Sequence, residues 1–510
     1  MKIRFIPLTF CLILAGAASA HRLPATVTPD HYSLWFAPDL NTETFRGRAT
    51  INVTVAAPTS TITLNAAEIT FGEVTVESGG TKQTATVTLN EKDETATFAV
   101  PTAVPKGSAT INITYTGILN GQLRGFYLSK ANGRKYAVSK MEATDARRAF
   151  PCFDEPAFKA TFAVTLMVNA GDTAISNGRQ LSDTPGPEPG THTVVFAPTP
   201  KMSSYLVALL VGDFVCRSGS ADGTPIRVCA TPDKQSLTAF ALTAAEQEVK
   251  FFNEYFKIKY PYEKLDIIGI PDFAAGAMEN AGAITFRERM LLADEKTASV
   301  GIRKSVAGVI AHELAHQWFG DLVTMKWWDD IWLNEGFATW AATKPLAAWK
   351  PEWNLDVARG VEKQVALGLD VLRATRPIHM DVTTPAEINE VFDPIAYEKT
   401  GSVLGMIESF VGPEKFRDGV SSYLSKYSLS NAAGEDFWNE VTRVTEKPVN
   451  RIMKSFVEQP GAPLLTTKTR SVNGSTEVSI AQSRFIGTPD ALRIAQHWTL
   501  PVCVKTGSVQ

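Results

Sequence analysis

The sequence predicts a multidomain α+β chain, and three changes of texture carry that prediction. Residues 21 to about 211 alternate small, β-branched and polar residues in short runs. From about 235 apolar residues recur at helical spacing, and beyond Pro460-Gly461 strand-like runs return. A length of 510 residues is itself too much for one ordinary domain. The expected division is a leader over 1–20, an N-terminal all-β domain over 21–211, a mostly helical domain over 212–459, and the incomplete beginning of a β-sandwich over 460–510.

The leader reads from "MKIRFIPLTFCLILAGAASA". Lys2 and Arg4 precede an apolar run from Phe5 to about Ala15, and Ala18 to Ala20 give a small-x-small cleavage pattern before His21. The run is short for a membrane span, although an uncleaved anchor is the alternative. The expectation is an exported protein, periplasmic or secreted, with a signal peptide and no transmembrane helix after cleavage. Cys11 lacks the small residues of a lipid attachment site.

In the β region, "RATINVTVAA", "TATVTLN", "SATINITYTG" and "THTVVFAP" alternate between Gly, Asn and Pro punctuation, as strands of packed sheets do. "SYLVALLVGDF" continues the pattern. In "FVCRSGSADGTPIRVCA", a two-residue turn at Asp222-Gly223 would set Cys216 opposite Cys229 on a non-hydrogen-bonded pair. A disulfide is expected there; a longer loop with two free thiols is the alternative. Helices are expected in "LTAFALTAAEQEVKFFNEYFK" and near 303–320, 330–348, 352–371, 399–411, 413–427 and 434–457. "TEVSIAQSRFIG" and "WTLPVCVK" read as strands. They are too few to close a sheet stack, so a fragment of a longer protein is expected.

Hydrophobic residues at 44% and charged residues at 20% describe a soluble globular chain. A net charge of −3 without a basic stripe gives no case for nucleic acid. The chemistry lies in "RKSVAGVIAHELAHQWFG". Val306, Ile310 and Leu314 define a core face, and Gly320 suits the helix end. His312 and His316 lie about 40° apart around such a helix, so both imidazoles reach one ion while Glu313 is offset toward a water. The bland alternative is a pair of core histidines. A catalytic zinc needs a third protein ligand and an open position. Glu335, nineteen positions after His316 in "LNEGFATW", is the candidate, because a carboxylate among Trp and Phe is expensive to bury unpaired. Otherwise it is an exposed acid at a helix start. Two His and one Glu leave room for a water, and Glu313 can take its proton.

Taken together, "GAMEN" at Gly276–Asn280, "HELAH" at His312–His316 and "LNEGFATW" resemble the zinc aminopeptidase family that includes alanyl and membrane aminopeptidases. So do "RLPATVTPDHYSLWFAPDL" and "EATDARRAFPCFDEPAFKATF". The resemblance implies a thermolysin-like zinc peptidase domain in the middle of the chain, with one Zn2+ per chain held by His312, His316 and Glu335. It implies Glu313 as general base and Tyr397, in "IAYEKTGSVL", as the phenol facing the developing oxyanion. Glu279 and Glu142 would capture the free amine of a peptide substrate. Gly276, Ala277, Met278 and Asn280 complete the substrate-binding segment. Ala275 hints at a roomy first pocket with a broad taste for apolar or basic residues. The family commonly has Gln where this chain has Lys140, which is free to weaken amine binding, pair with a carboxylate or point away. Longer relatives add a complete β-sandwich and a helical domain that encloses the site. The competing readings are an epoxide-hydrolysing relative, which carries Gly in place of Ala277, and an inactive binding protein, which usually loses a ligand or the base. The sequence sets no oligomeric state.

Overall fold

A computed structural model describes residues 22–473, 475–487 and 496–504. The leader assigned to 1–20 lies outside the described residues. As predicted, strands fill the first part, helices the middle and a strand pair the end. Thr44–Val55 shows how the pattern works. Phe45, Ala49, Ile51, Val53 and Val55 are buried while most of the intervening residues face out. This strand sits inside an eight-stranded sheet, antiparallel to Val27–Asp39 on one side and Gly107–Ile118 on the other. A four-stranded sheet packs near it. Phe126 of that sheet meets Phe36 and Phe45 edge to face, a geometry worth about 0.5–1.5 kcal/mol per pair beyond area burial. Strand Arg134–Lys140 belongs to the four-stranded sheet, so the chain leaves it at Lys140 with Glu142 two residues on.

The hairpin read from the cysteines is present. Val215–Ala221 pairs antiparallel with Thr224–Ala230, Cys216 stands opposite Cys229, and the two form a disulfide with Cα atoms 4.0 Å apart. Asp222 and Gly223 both have positive φ, as a type I′ turn requires. This hairpin continues into the helical region instead of closing the β region. Thr224–Ala230 runs parallel to Leu265–Ile270, which runs parallel to Ala283–Arg287, and Ala277–Met278 forms the sheet's edge. Every residue of Leu265–Ile270 is buried, as in a strand covered on both faces. Helix α1 (Ala239–Phe256) lies between the hairpin and that strand in sequence.

Helix α2 (Val300–His316) starts where the Ser299 side chain accepts the amide N–H of Ile302. It buries Val306, Ile310 and Leu314. The helix ends at His316, before the expected Gly320, whose φ of 124° instead lets the chain turn back beneath the helix end. Helix α3 (Trp332–Trp349) packs against it, followed by α4 (Leu355–Asp370), a short α5 (Pro385–Glu390) that the sequence reading did not expect, α6 (Thr400–Val411) and α7 (Pro413–Lys426). The single helix expected over 434–457 is two, α8 (Gly434–Thr445) and α9 (Val449–Val457). Glu446 turns left-handed, and Pro448 cannot donate to a helix that runs through it. At the end, Pro463–Val472 pairs with Ser475–Arg484, whereas the stretch from Trp498 forms no strand among the described residues. No helix among the described residues is long and apolar enough to cross a membrane.

Candidate active site

His312 and His316 sit one turn apart on the last turns of α2, and Glu335 lies in the first turn of α3. Their packing brings three atoms together. His312 Nε2 is 3.1 Å from His316 Nε2, and each is 3.3 Å from Glu335 Oε2. Tetrahedral coordination at 2.0–2.1 Å separates neighbouring ligand atoms by about 3.3–3.4 Å, so the triangle has the size of one face of such a site. Protonation supports the same reading. His316 Nδ1 donates to the Phe319 carbonyl at 2.9 Å, so in the neutral ring the Nε2 lone pair faces the other two atoms. A proton on Nε2 or a metal ion among the three atoms compensates the buried Glu335 carboxylate, and the atoms are spaced for the second. The donor set therefore fits a borderline-soft divalent ion.

Around the triangle lie three further carboxyl groups and one phenol. Ligand atoms of Glu279, Glu313 and His316 all fall within 4.8 Å of one another, as do those of Glu142, Glu279 and Glu335. Glu279 is buried, and its Oε1, like Oε1 of Glu142, has no hydrogen-bond partner among the described residues. Burial first, and then the Glu142 charge, push the Glu279 carboxyl up to about 8. Burial also raises Glu313 well above the carboxylate range, against the opposing pull of His316. Glu335 moves the other way. Burial would raise it, but His316 and His312 hold it well below the usual range. Burial disfavours charge on His316, yet Glu279, Glu335 and Glu313 together raise it well above an ordinary histidine. A cation at the triangle favours the ionised form of every one of these acids.

Tyr397 comes from a π-helical turn, Ile395–Lys399, that leads into α6. Such turns insert one extra residue and re-aim a side chain. Its ring stacks on His312 with centroids 5.9 Å apart and planes 9° from parallel. Burial raises the phenol well above its ordinary value, so it stays a proton donor.

The structure also places Lys140. Its ammonium donates to Glu142 Oε2 at 2.9 Å, to the Glu142 carbonyl at 3.1 Å and to Met278 Sδ at 3.2 Å. It pairs with a carboxylate and lines the cavity instead of pointing away. That cavity, about 850 Å³, is bounded by Glu142, Gly276, Ala277, Glu279, His312, Glu313, Glu335 and Tyr397 among others. Met278 and Asn280 are buried behind its wall, Asn280 Nδ2 donating to Thr285 Oγ1.

Sequence reasoning missed the polar side chains that hold this wall. Gln317, the residue after His316, donates to the Glu279 carbonyl and accepts from the Gly282 N–H. Asn177 donates to the Ala281 carbonyl, and Lys264 to the Gly282 carbonyl. Tyr205 donates to Gly320 and accepts from Asn334, the neighbour of Glu335. All are buried. The available signal was weak: a lysine before the apolar run "LDIIGI", and a glutamine fixed beside a ligand histidine.

Comparison with known proteins agrees with this geometry. The Peptidase M1 N-terminal domain matches residues 28–206 and the Peptidase family M1 domain matches 240–456. Among similar proteins, Aminopeptidase M1-C of Oryza sativa subsp. japonica is 39% identical over 94% of this chain and 54% of its own length. Puromycin-sensitive aminopeptidase of Caenorhabditis elegans is 37% identical over 97% of this chain and 53% of itself. Alanine/arginine aminopeptidase of Saccharomyces cerevisiae is 39% identical over 92% and 55%. The chain thus spans about half the length of the curated relatives it matches. One expectation is corrected by them. The rice, Arabidopsis, nematode and yeast aminopeptidases matched here do not support a secreted or periplasmic enzyme with a signal peptide. The export reading rested on two cations and a short apolar run, a pattern of low information that lies outside the described residues. With both its β-rich N-terminal part and its helical catalytic part matched, the chain belongs to peptidase family M1.

Proposed function

We propose that the protein is a zinc-dependent aminopeptidase that hydrolyses the N-terminal residue from peptides. The observation that carries this reading is the distance between two features. Glu142 and Glu279 each keep one carboxylate oxygen without a hydrogen-bond partner among the described residues, and each offers a carboxylate oxygen within 4.8 Å of the candidate ligand Glu335. An amine held there leaves room for a single residue before the scissile carbonyl.

In this reading His312, His316 and Glu335 hold one zinc, which supplies Lewis acidity toward water and the substrate carbonyl. Glu279 and Glu142 bind the substrate's ammonium, and a chain interior cannot satisfy them. Lys140 already neutralises part of Glu142, so Glu279 carries most of that contact. The strand Ala277–Met278 uses one edge on Thr285 and Phe286. Its other edge, with Gly276 and Ala277 at the cavity, offers backbone groups to an extended peptide. Glu313 takes a proton from water and passes it to the leaving amine. Tyr397 hydrogen-bonds the oxygen that gains charge in the transition state. The working division of the chain follows from these roles: an N-terminal β domain to 211 that delivers Glu142, a thermolysin-like domain over 212–459 that holds the metal, and the start of a β-sandwich from 460.

The test is a panel of aminoacyl anilides with free and acetylated amines, run on the full-length protein with and without chelator. Turnover is expected only with a free amine and only without chelator, with about one zinc per chain. Equal turnover of acetylated substrates would remove the roles of Glu279 and Glu142.

A further inference from the structure

Gln317 is fully buried, and its carboxamide makes four hydrogen bonds. Nε2 donates to the Glu279 carbonyl at 2.8 Å and to Asp321 Oδ2 at 2.9 Å. Oε1 accepts the Gly282 N–H at 3.0 Å and the Tyr260 hydroxyl at 3.1 Å. Two donors and two acceptor sites are the whole capacity of a glutamine amide. The two backbone partners are three residues apart, on either side of the loop that joins the strand Ala277–Met278 to the strand Ala283–Arg287. Gln317 thus bridges the two ends of that loop, beside the turn bond from the Ala283 N–H to the Asn280 carbonyl. It is also the residue next to the ligand His316 at the end of α2.

One side chain therefore ties the amine-binding carboxylate to the metal helix. We infer that Gln317 is a positioning residue that fixes the distance from Glu279 to the metal ligands, and so sets how many bonds separate the bound amine from the attacked carbonyl. The inference rests on the aminopeptidase reading above. Asn177, Lys264 and Thr285 hold this loop at Ala281, Gly282 and Asn280, and Gly282, at φ 69°, lets it bend, but it is Gln317 that holds the carbonyl of Glu279 itself. Without the carboxamide, the Glu279 carbonyl and the Gly282 N–H lose their shared partner, and the loop gains freedom along the direction that separates amine from metal. A residue that only stabilises the fold would lower activity on all substrates together. A residue that sets this distance would change which amine position is accepted.

The experiment compares alanyl and β-alanyl p-nitroanilide, which differ by one carbon between amine and carbonyl, on the full-length protein. In Gln317→Met, with zinc content unchanged, the ratio of kcat/KM for alanyl over β-alanyl substrate is expected to fall at least tenfold. Tyr260→Phe removes one donor to the same carboxamide from outside the loop and is expected to lower the ratio two- to threefold. An unchanged ratio in both variants overturns the assignment. If Gln317→Met does not accumulate as folded protein, the ratio in Tyr260→Phe decides alone. Wild-type protein that cleaves acetylated alanyl anilide as fast as the free amine sinks the aminopeptidase reading instead, whatever the variants do.

Discussion

The candidate metal triangle and the proposed amine anchor bring carboxylate atoms within 4.8 Å of one another, yet they are built in opposite ways. The triangle comes from two neighbouring helices and a span of 24 residues, His312 to Glu335. The anchor joins the end of a strand in the four-stranded sheet, at Glu142, to a loop at the edge of another sheet, at Glu279. One is local and follows from helix geometry once the spacing is known. The other exists only because the β-rich part of the chain docks on the helical part. Chemistry held by a local unit should tolerate small shifts between the parts, whereas selectivity held across them should not.

The largest expected effect falls on the local side. Glu313→Gln keeps the size of the side chain and all three candidate ligands but removes the base. The expected outcome is normal zinc content with kcat lower by about 10²–10⁴-fold, the usual worth of a positioned general base. Turnover near wild type would break the view that the triangle and its base form one unit.

A smaller loss is expected on the assembled side. Glu279→Gln removes the negative charge proposed to meet the ammonium while keeping the loop's backbone contacts. Losing a charge-assisted bond in a buried site costs about 3 kcal/mol, or about 10²-fold in kcat/KM. Most of the loss should appear for substrates with a free amine, and activity on acetylated ones should stay near its low base. A uniform loss across both would show that Glu279 acts on the metal centre and not on the amine.

The same contrast explains what the sequence made legible. His312, Glu313 and His316 were readable because helical spacing turns directly into geometry, and Glu335 because a carboxylate among Trp and Phe is costly to bury unpaired. The cysteine hairpin was readable from spacing as well, through the two-residue turn at Asp222-Gly223. The alternation in "RATINVTVAA" marked a strand, which the structure gives as Thr44–Val55. By contrast, Lys140 allowed three placements until the Glu142 contact was seen, since the path of the chain just past the strand end, which turns the two side chains together, is set by the tertiary fold. The break at Glu446 escaped notice because the apolar spacing continues across it. Gln317, Asn177 and Lys264 escaped because their partners are backbone carbonyls and amides, which leave no trace in side-chain patterns. Tyr397 has no local signature either. Its role came from the resemblance, and the π-helical turn that aims it is not encoded by periodicity.

The smallest effect concerns Lys159, which repeats the long-range construction in a supporting role. From the β-rich part it reaches across to the turn below α2, where its ammonium donates to the carbonyls of Asp321 at 2.9 Å and Leu322 at 3.2 Å. Burial lowers it to about 7, with the Asp321 charge opposing. An unfolded lysine titrates at about 10.4. Between those values the unfolded chain holds a proton that the folded chain has released, so this residue makes stability rise with pH across that window. Below about 7 both states hold the proton and the contribution is flat. Lys159→Met deletes the titration along with two hydrogen bonds. The variant is expected to melt lower at every pH and to show a shallower rise in Tm from pH 7 to 10 than the wild type, a difference of a few degrees at most. Scanning calorimetry at several pH values measures both. Parallel Tm profiles would mean that Lys159 keeps an ordinary affinity for its proton, and that the contact between the two parts of the chain is wetter than its burial implies.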